Sequence, residues 1–193
     1  NADIDAGNLL LCGHTALTGR LSIQTRIYPM LSFAIAVEVQ DYIQYALFWD
    51  TDVPYHYTRI ASSDNPFLLI IGGADCHAGT TEDTNFYYES LYKYAADRYQ
   101  IKSVPYYWCN EFFEPVDALP YAGLVPFSKN VFVAGAYSGD GLTLGTMSAN
   151  LLCDLILKIQ NPLEDIISPS RFKPVVSIPN LTKMVGNATK HLV

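Results

Sequence analysis

No apolar run in the chain approaches the roughly 20 residues that a helix needs to cross a bilayer. The longest stretches, such as Phe33-Ala34-Ile35-Ala36-Val37 and Phe67-Leu68-Leu69-Ile70-Ile71, stop far short of it. Basic charge is scarce too: 12 Lys and Arg stand against 19 Asp and Glu, a net charge of −7. Without a positive field to offset phosphate, neither a nucleic acid nor a polybasic membrane contact is expected as a partner. The four cysteines, Cys12, Cys76, Cys109 and Cys153, are too dispersed for paired zinc ligands or a dense disulfide framework. Free, buried thiols and no metal site are the expectation, which places the protein in a reducing cytoplasm. The start Asn1-Ala2-Asp3-Ile4-Asp5 has no basic region, no apolar segment and no Met, so it reads as an internal start and the chain as a fragment. Two glycosylation sequons, Asn180-Leu181-Thr182 and Asn187-Ala188-Thr189, are read as chance occurrences.

What the chain does have is core material. Of 193 residues, 50% are hydrophobic and 16% charged, a composition that excludes disorder and suffices for one domain or two small ones. Asn8 to Cys12 reads as a short buried strand running into a turn at Gly13-His14-Thr15. Arg26 to Val39, Ala46 to Trp49 and Tyr55 to Ile60 follow as strands, and Tyr55, Tyr57 and Arg59 fall on one face by the period of two. Ser62 to Pro66 is a turn, Phe67 to Ile71 a buried strand, and Gly72-Gly73 its stop. Thr81 is a plausible N-cap for a helix over Glu82 to Tyr99, with Phe86, Ser90, Leu91, Tyr94 and Arg98 at helical spacing.

Beyond a strand at Val104 to Asn110, the prolines of Glu114 to Gly123 predict an ordered loop without regular structure. Val131 to Gly135 is a further strand. An apolar helix then runs from Gly141 to about Lys158, with Leu142, Ala149, Leu152, Cys153 and Ile156 predicted on its buried side. The tail from Asn161 is broken by prolines and ends in a weak helical stretch over Leu181 to Val193.

The segment with most chemical content is the strand-to-helix turn Ala136-Tyr137-Ser138-Gly139-Asp140-Gly141-Leu142-Thr143. Its glycines let backbone approach a ligand, and the N–H groups of a helix start attract an electron-rich atom. From spacing alone, an anion or carbonyl-oxygen site and a ligand-free tight turn stand level. A dinucleotide fingerprint needs a second strand after the helix and an acidic residue about 20 positions on, where this chain has Asn161-Pro162. Arg59 offers a planar fork that matches a carboxylate, with Tyr55 and Tyr57 beside it. The plain alternative is an exposed arginine on an ordinary sheet. His56 points the other way on an ideal strand and reads as structural.

Taken in order, Trp49 to Arg59, Leu69-Ile70-Ile71-Gly72-Gly73, Glu114 to Gly123, Val131 to Leu157 and Pro169-Ser170-Arg171-Phe172 resemble the glycine/D-amino-acid oxidase-type FAD-dependent oxidoreductases. The likeness is greatest to the subgroup that carries a C-terminal Rieske domain, although no CxH and CxxH pair occurs here. It implies an α+β fold: a mixed or antiparallel β-sheet substrate domain with a packed helix, plus the C-terminal strand–helix piece of a Rossmann-like FAD-binding domain. Residues 1–25 would be a remnant of the FAD domain, 26–108 the substrate domain, 109–160 the return into the FAD domain and 161–193 a tail.

The resemblance further implies FAD as cofactor in the complete enzyme, with Ser138, Gly139, Asp140, Gly141, Leu142 and Thr143 against the flavin's pyrimidine edge. Arg59, Tyr55 and Tyr57 would then hold a small amine or amino-acid substrate while hydride passes to the flavin. Cys109 lies near the place where some members attach flavin through cysteine, but Asn110-Glu111-Phe112-Phe113 do not match that pattern. As a fragment the chain is expected to be inactive, to need a separate N-terminal half, and to dimerise through an exposed edge at Val131 to Gly135. The rival is a stand-alone binding or assembly module whose pocket of Tyr55, Tyr57, Arg59 and Trp108 takes a small anion without flavin.

Overall fold

The computed structural model describes residues 3–15, 23–80 and 83–171. The chain divides into two compact units, Met30–Glu111 and the pair of segments Asn1–Pro29 with Phe112–Val193. Its architecture is α+β, as expected.

In the unit Met30–Glu111, five strands form a sheet: β2 (Ile27–Val39), β3 (Leu47–Trp49), β4 (His56–Ser62), β5 (Asn65–His77) and β6 (Ile101–Pro115), in the order β3-β4-β5-β2-β6. The pairs β3–β4, β4–β5 and β5–β2 are antiparallel. Alternation along β2 sends Phe33, Ile35, Val37 and Val39 into one core with Ile60, Leu69 and Ile71, closed by helix α1 (Asn85–Ala96) through Leu91 and Ala95. Each such side chain contributes about 1.5–3 kcal/mol on burial. The Phe33 ring stacks on Tyr87 at 4.6 Å.

Several boundaries differ from the sequence reading. β5 does not stop at Gly72-Gly73 but runs on to His77 through a bulge, because glycine tolerates the φ of 125° that Gly73 adopts there. α1 starts at Asn85 after Thr84, while the expected cap Thr81 lies outside the described residues. Phe86 is exposed on α1.

The other unit holds a three-stranded sheet of β1 (Leu9–Leu11), β8 (Val131–Gly135) and β7 (Tyr121–Leu124), in the order β1-β8-β7. β8 is therefore central, parallel to β1 and antiparallel to β7, and not the exposed edge that was expected to drive dimerisation. β1 itself is largely exposed rather than buried. Prolines do not abolish regular structure over Glu114 to Gly123: β6 reaches Pro115, and β7 begins at Tyr121.

Helix α2 (Gly141–Ile156) packs Leu151 and Leu152 onto Ala122, Phe132 and Ala134, and the short α3 (Glu164–Ile167) adds Ile167. Leu142, Ala149 and Cys153 are exposed, against expectation. Cys12 and Cys109 are exposed as well and Cys76 half-buried, so the cysteines are free but not the buried thiols anticipated. The tail helix expected over Leu181 to Val193 lies outside the described residues.

Arg171 locks the end of the described chain. Its Nε and Nη2 donate to Asp117 Oδ2 and Oδ1 at 2.7 and 2.8 Å, and Nη1 donates to the carbonyls of Pro120 and Ile167. Its guanidinium lies 3.8 Å from the centre of the Tyr121 ring. Arg26 in turn donates to the carbonyls of Pro169 and Arg171.

Candidate functional site

At the end of β8 the backbone turns sharply, with Ala136 and Ser138 at positive φ of 58° and 53°. The Ser138 N–H donates to the Phe113 carbonyl at 3.1 Å and the Asp140 N–H to the Tyr137 carbonyl at 3.0 Å, which fixes the turn before α2 begins. Asp140 occupies the N-cap position but makes no side-chain capping bond. The first N–H groups of α2 therefore carry the positive end of the helix dipole toward an open surface. Gly139 to Thr143 are all exposed, Leu142 is 92% exposed, and a Cβ on Gly141 would meet nothing within 4 Å. A flat, electron-rich ring edge fits such a cradle.

Of the residues expected to hold substrate, Tyr57 and Arg59 lie on β4 and Tyr55 just before it. Alternate residues Thr58 and Ile60 are buried toward α1, so Tyr57 and Arg59 belong to the opposite face of the sheet. Arg59 is exposed, and its Nη1 donates to the carbonyls of Ile60 and Ala61 at 3.1 and 3.3 Å. No carboxylate among the described residues pairs with it. Tyr55 meets Trp49 edge-to-face at 5.6 Å.

Tyr57 lies across Gly72, its register partner on β5. A Cβ at Gly72 would fall 2.1 Å from both Cζ and the hydroxyl oxygen of Tyr57, so glycine lets the ring lie flat across the strand and any larger residue requires the ring to move. Beside Gly72, the face continues with Ala34 on β2. Small residues thus floor this side of the sheet, while the large aliphatics fill the α1 side. Burial raises the pKa of Tyr57, the Asp75 carboxylate adds to the rise, and Arg59 opposes it.

His56 points toward α1 and stacks on Tyr94, ring centres 4.0 Å apart. Its Nδ1 lies 2.9 Å from Asp50 Oδ2, and its backbone N–H donates to Asp50 Oδ1 at 2.8 Å. Asp50, Asp52 and His56 bring possible metal-ligand atoms within 4.8 Å of one another. Both oxygens of Asp50 are already engaged, since the Asp52 N–H also reaches Oδ1 at 3.3 Å, so the group acts as a clamp on the loop before β4. Trp108, named in the binding-module alternative, is on β6 with partial exposure. The Cys109 thiol is raised by burial first, then by Cys76 and Asp75.

Two residues escaped the sequence reading. A Gly-Gly doublet usually punctuates, so the sequence predicts a strand stop at Gly72-Gly73, and nothing in it singles out Asp75. A glycine doublet inside a long apolar strand also signals a bulge and a close approach, which is the meaning here.

Comparison with known proteins gives a consistent picture. Residues 3–155 match the family described as FAD dependent oxidoreductase. A relative named for a Rieske 2Fe-2S iron-sulfur protein, YhfW of Bacillus subtilis (strain 168), is 28% identical over 171 residues, which cover 87% of this chain and 33% of that protein. This chain thus spans about a third of its relative's length. Among solved structures, glycine oxidase from Geobacillus kaustophilus superposes with a TM-score of 0.64 at 20% identity, over 81% of this chain and 42% of the oxidase. Iminodiacetate oxidase from Chelativorans sp. BNC1 gives 0.62 at 15% identity, over 86% and 47%. At these identities the likeness establishes the fold.

Proposed function

As this chain belongs to the family of FAD-dependent oxidoreductases, we propose that it is the C-terminal portion of a flavoenzyme that oxidises a small amine or amino acid. When bound, FAD supplies the acceptor for hydride from the carbon that bears the nitrogen. The start of α2 is the observation that carries the reading: its exposed N–H groups and unobstructed Gly141 suit the electron-rich edge of a flavin. In this reading Ser138, Gly139, Asp140, Gly141, Leu142 and Thr143 hold that edge. The positive helix end there favours extra negative charge on the ring system, which makes the reduced form easier to reach.

Arg59 binds the substrate carboxylate through its planar fork, with Tyr57 and Tyr55 limiting how the substrate lies. No side chain is required as general base if the amine reacts in its neutral form, so orientation dominates the chain's contribution. Names of the structural neighbours, glycine oxidase and iminodiacetate oxidase, support a small amino-acid-like substrate. By itself the 193-residue chain is read as inactive, and residues 1–25 and 109–160 as parts of the FAD-binding domain around the substrate domain 26–108.

The test is the intact mass of the natural gene product together with its absorption between about 300 and 500 nm, where flavin chemistry is visible. A longer, yellow polypeptide that oxidises glycine, sarcosine or a simple amine is expected, with activity falling on Arg59→Ala. A colourless 193-residue product that binds a small anion would replace this reading with that of a binding module.

A further inference from the structure

β1 and β8 are parallel neighbours, with Leu9, Leu10 and Leu11 opposite Val131, Phe132 and Val133. Parallel strands end at the same edge of a sheet, so the chain leaving β1 through Cys12, Gly13 and His14 runs beside the chain leaving β8 through Ala136 and Tyr137. The two exits touch: the Gly13 carbonyl oxygen lies 4.0 Å from where a Cβ on Gly135 would stand. In sheets built with parallel strands, ligands lie outside the carboxyl ends of those strands. His14 is exposed at that end, and so are Gly139 to Thr143 at the start of α2.

Phe113 ties His14 to the turn before α2. Its carbonyl accepts the Ser138 N–H at 3.1 Å, and its ring meets the His14 imidazole edge-on, with centres 5.1 Å apart and planes at 70°. The Phe113 side chain packs in turn against the cluster that contains Ile27, Tyr121, Val133 and Ala136. One anchored residue thus supports both the imidazole and the backbone that leads into the helix. Aromatic pairs at this separation and angle attract, which holds an exposed ring to one side of the turn. An imidazole in either protonation state carries at least one N–H donor.

We infer that His14 donates from the neighbouring strand to the ligand held at the start of α2 and stabilises reduced over oxidised flavin. The inference rests on the reading of Ser138 to Thr143 as the seat of the flavin's electron-rich edge. A reduced ring has taken up two electrons and one proton, so it carries one more negative charge than the oxidised ring. Hydrogen bonds to a charged acceptor are about twice as strong as those to a neutral one, so a donor at this edge holds the reduced form more tightly. The backbone of α2 supplies one part of that preference and the His14 side chain the other.

The test uses the natural full-length holoprotein, with its two-electron midpoint potential read from absorption spectra against reference dyes at fixed pH. His14→Ala is expected to move the equilibrium toward oxidised flavin by about tenfold, a fall of about 30 mV in potential. By the thermodynamic cycle it weakens reduced FAD about tenfold more than oxidised FAD. His14→Asn, which keeps an N–H donor, recovers part of the shift. Stripped of FAD, both variants melt as the parent does, because the side chain is exposed. A potential that His14→Ala leaves unchanged or raises, even with weaker FAD binding, or a lowered melting temperature with no shift in potential, would overturn the role of His14. A parent protein that binds no flavin would overturn the flavin reading itself.

Discussion

The buried pair of Arg171 and Asp117 shows how much a single side chain can carry in this fold. Both side chains are almost wholly buried, at 4% and 3% exposure. Each depends on the other to offset the desolvation of its charge. Removing one partner strands the other, so Asp117→Ala is expected to lower unfolding free energy by about 3–5 kcal/mol in denaturant titration. Replacing both by apolar residues, Asp117→Leu with Arg171→Met, is expected to lose clearly less. A double variant as unstable as the single one would show that the guanidinium's bonds to the Pro120 and Ile167 carbonyls, not the ion pair, hold the segment. The sequence reading used Arg171 only as part of a family-like motif. A lone arginine in a proline-rich tail gives no sign that it is buried, since its partner is 54 positions away.

At the scale of elements, the loop from β3 to β4 is organised by Asp50. Desolvation by itself pushes this carboxyl up, but hydrogen bonds from the His56 and Asp52 N–H groups and the His56 ring outweigh it and hold its pKa below the ordinary value. A depressed folded pKa stabilises the native state fully above the unfolded carboxylate pKa of about 3.9, and the contribution is lost as pH falls through the lower folded value. Asp50→Asn should therefore flatten the acid limb of the stability–pH curve below about pH 4 while leaving its slope near neutrality unchanged. An unchanged acid limb in urea melts across that range would refute the role.

Strands and helices were legible where the period of burial was clean. Phe33, Ile35, Val37 and Val39 alternate, and β2 came out within a residue of its expected span. Legibility failed where one residue type has two meanings. Gly72-Gly73 was read as punctuation but is a passage for Tyr57 and a bulge. Leu142 was assigned to the core by its apolarity but stands exposed at a helix start. Of the candidate site, the glycine turn and the Tyr57–Arg59 alternation were visible in the sequence. Asp75 was not, because its direction depends on a register shift against β2, which is long-range.

For the molecule as a whole, the two edges of the five-stranded sheet matter most. Among the described residues, β3 and β6 have a hydrogen-bonded neighbour on one side only, and both display large side chains: Leu47 and Trp49 on one, Tyr106 and Tyr107 on the other. Unprotected, apolar edges pair with whatever strand is offered. The 193-residue chain in isolation is therefore expected to self-associate at high concentration in sedimentation velocity. Lysines at the edges, Leu47→Lys with Tyr107→Lys, are expected to shift it toward monomer. A parent chain that sediments as a monomer at every concentration would contradict this, and no association is expected to run through β8, which is flanked on both sides.

The fit of Tyr57 over Gly72 also dictates an order of events in any evolutionary path through this sheet. A side chain at position 72 meets the far end of the Tyr57 ring, its first carbon 2.1 Å from the phenol, so Gly72→Ala requires the ring to swing aside. Once Tyr57 has shrunk to alanine, Gly72→Ala becomes an ordinary substitution, and a tyrosine restored later has to take another rotamer. The order of the two changes therefore decides where the phenol comes to lie, and the pair records, in two letters, whether this face has kept its original shape.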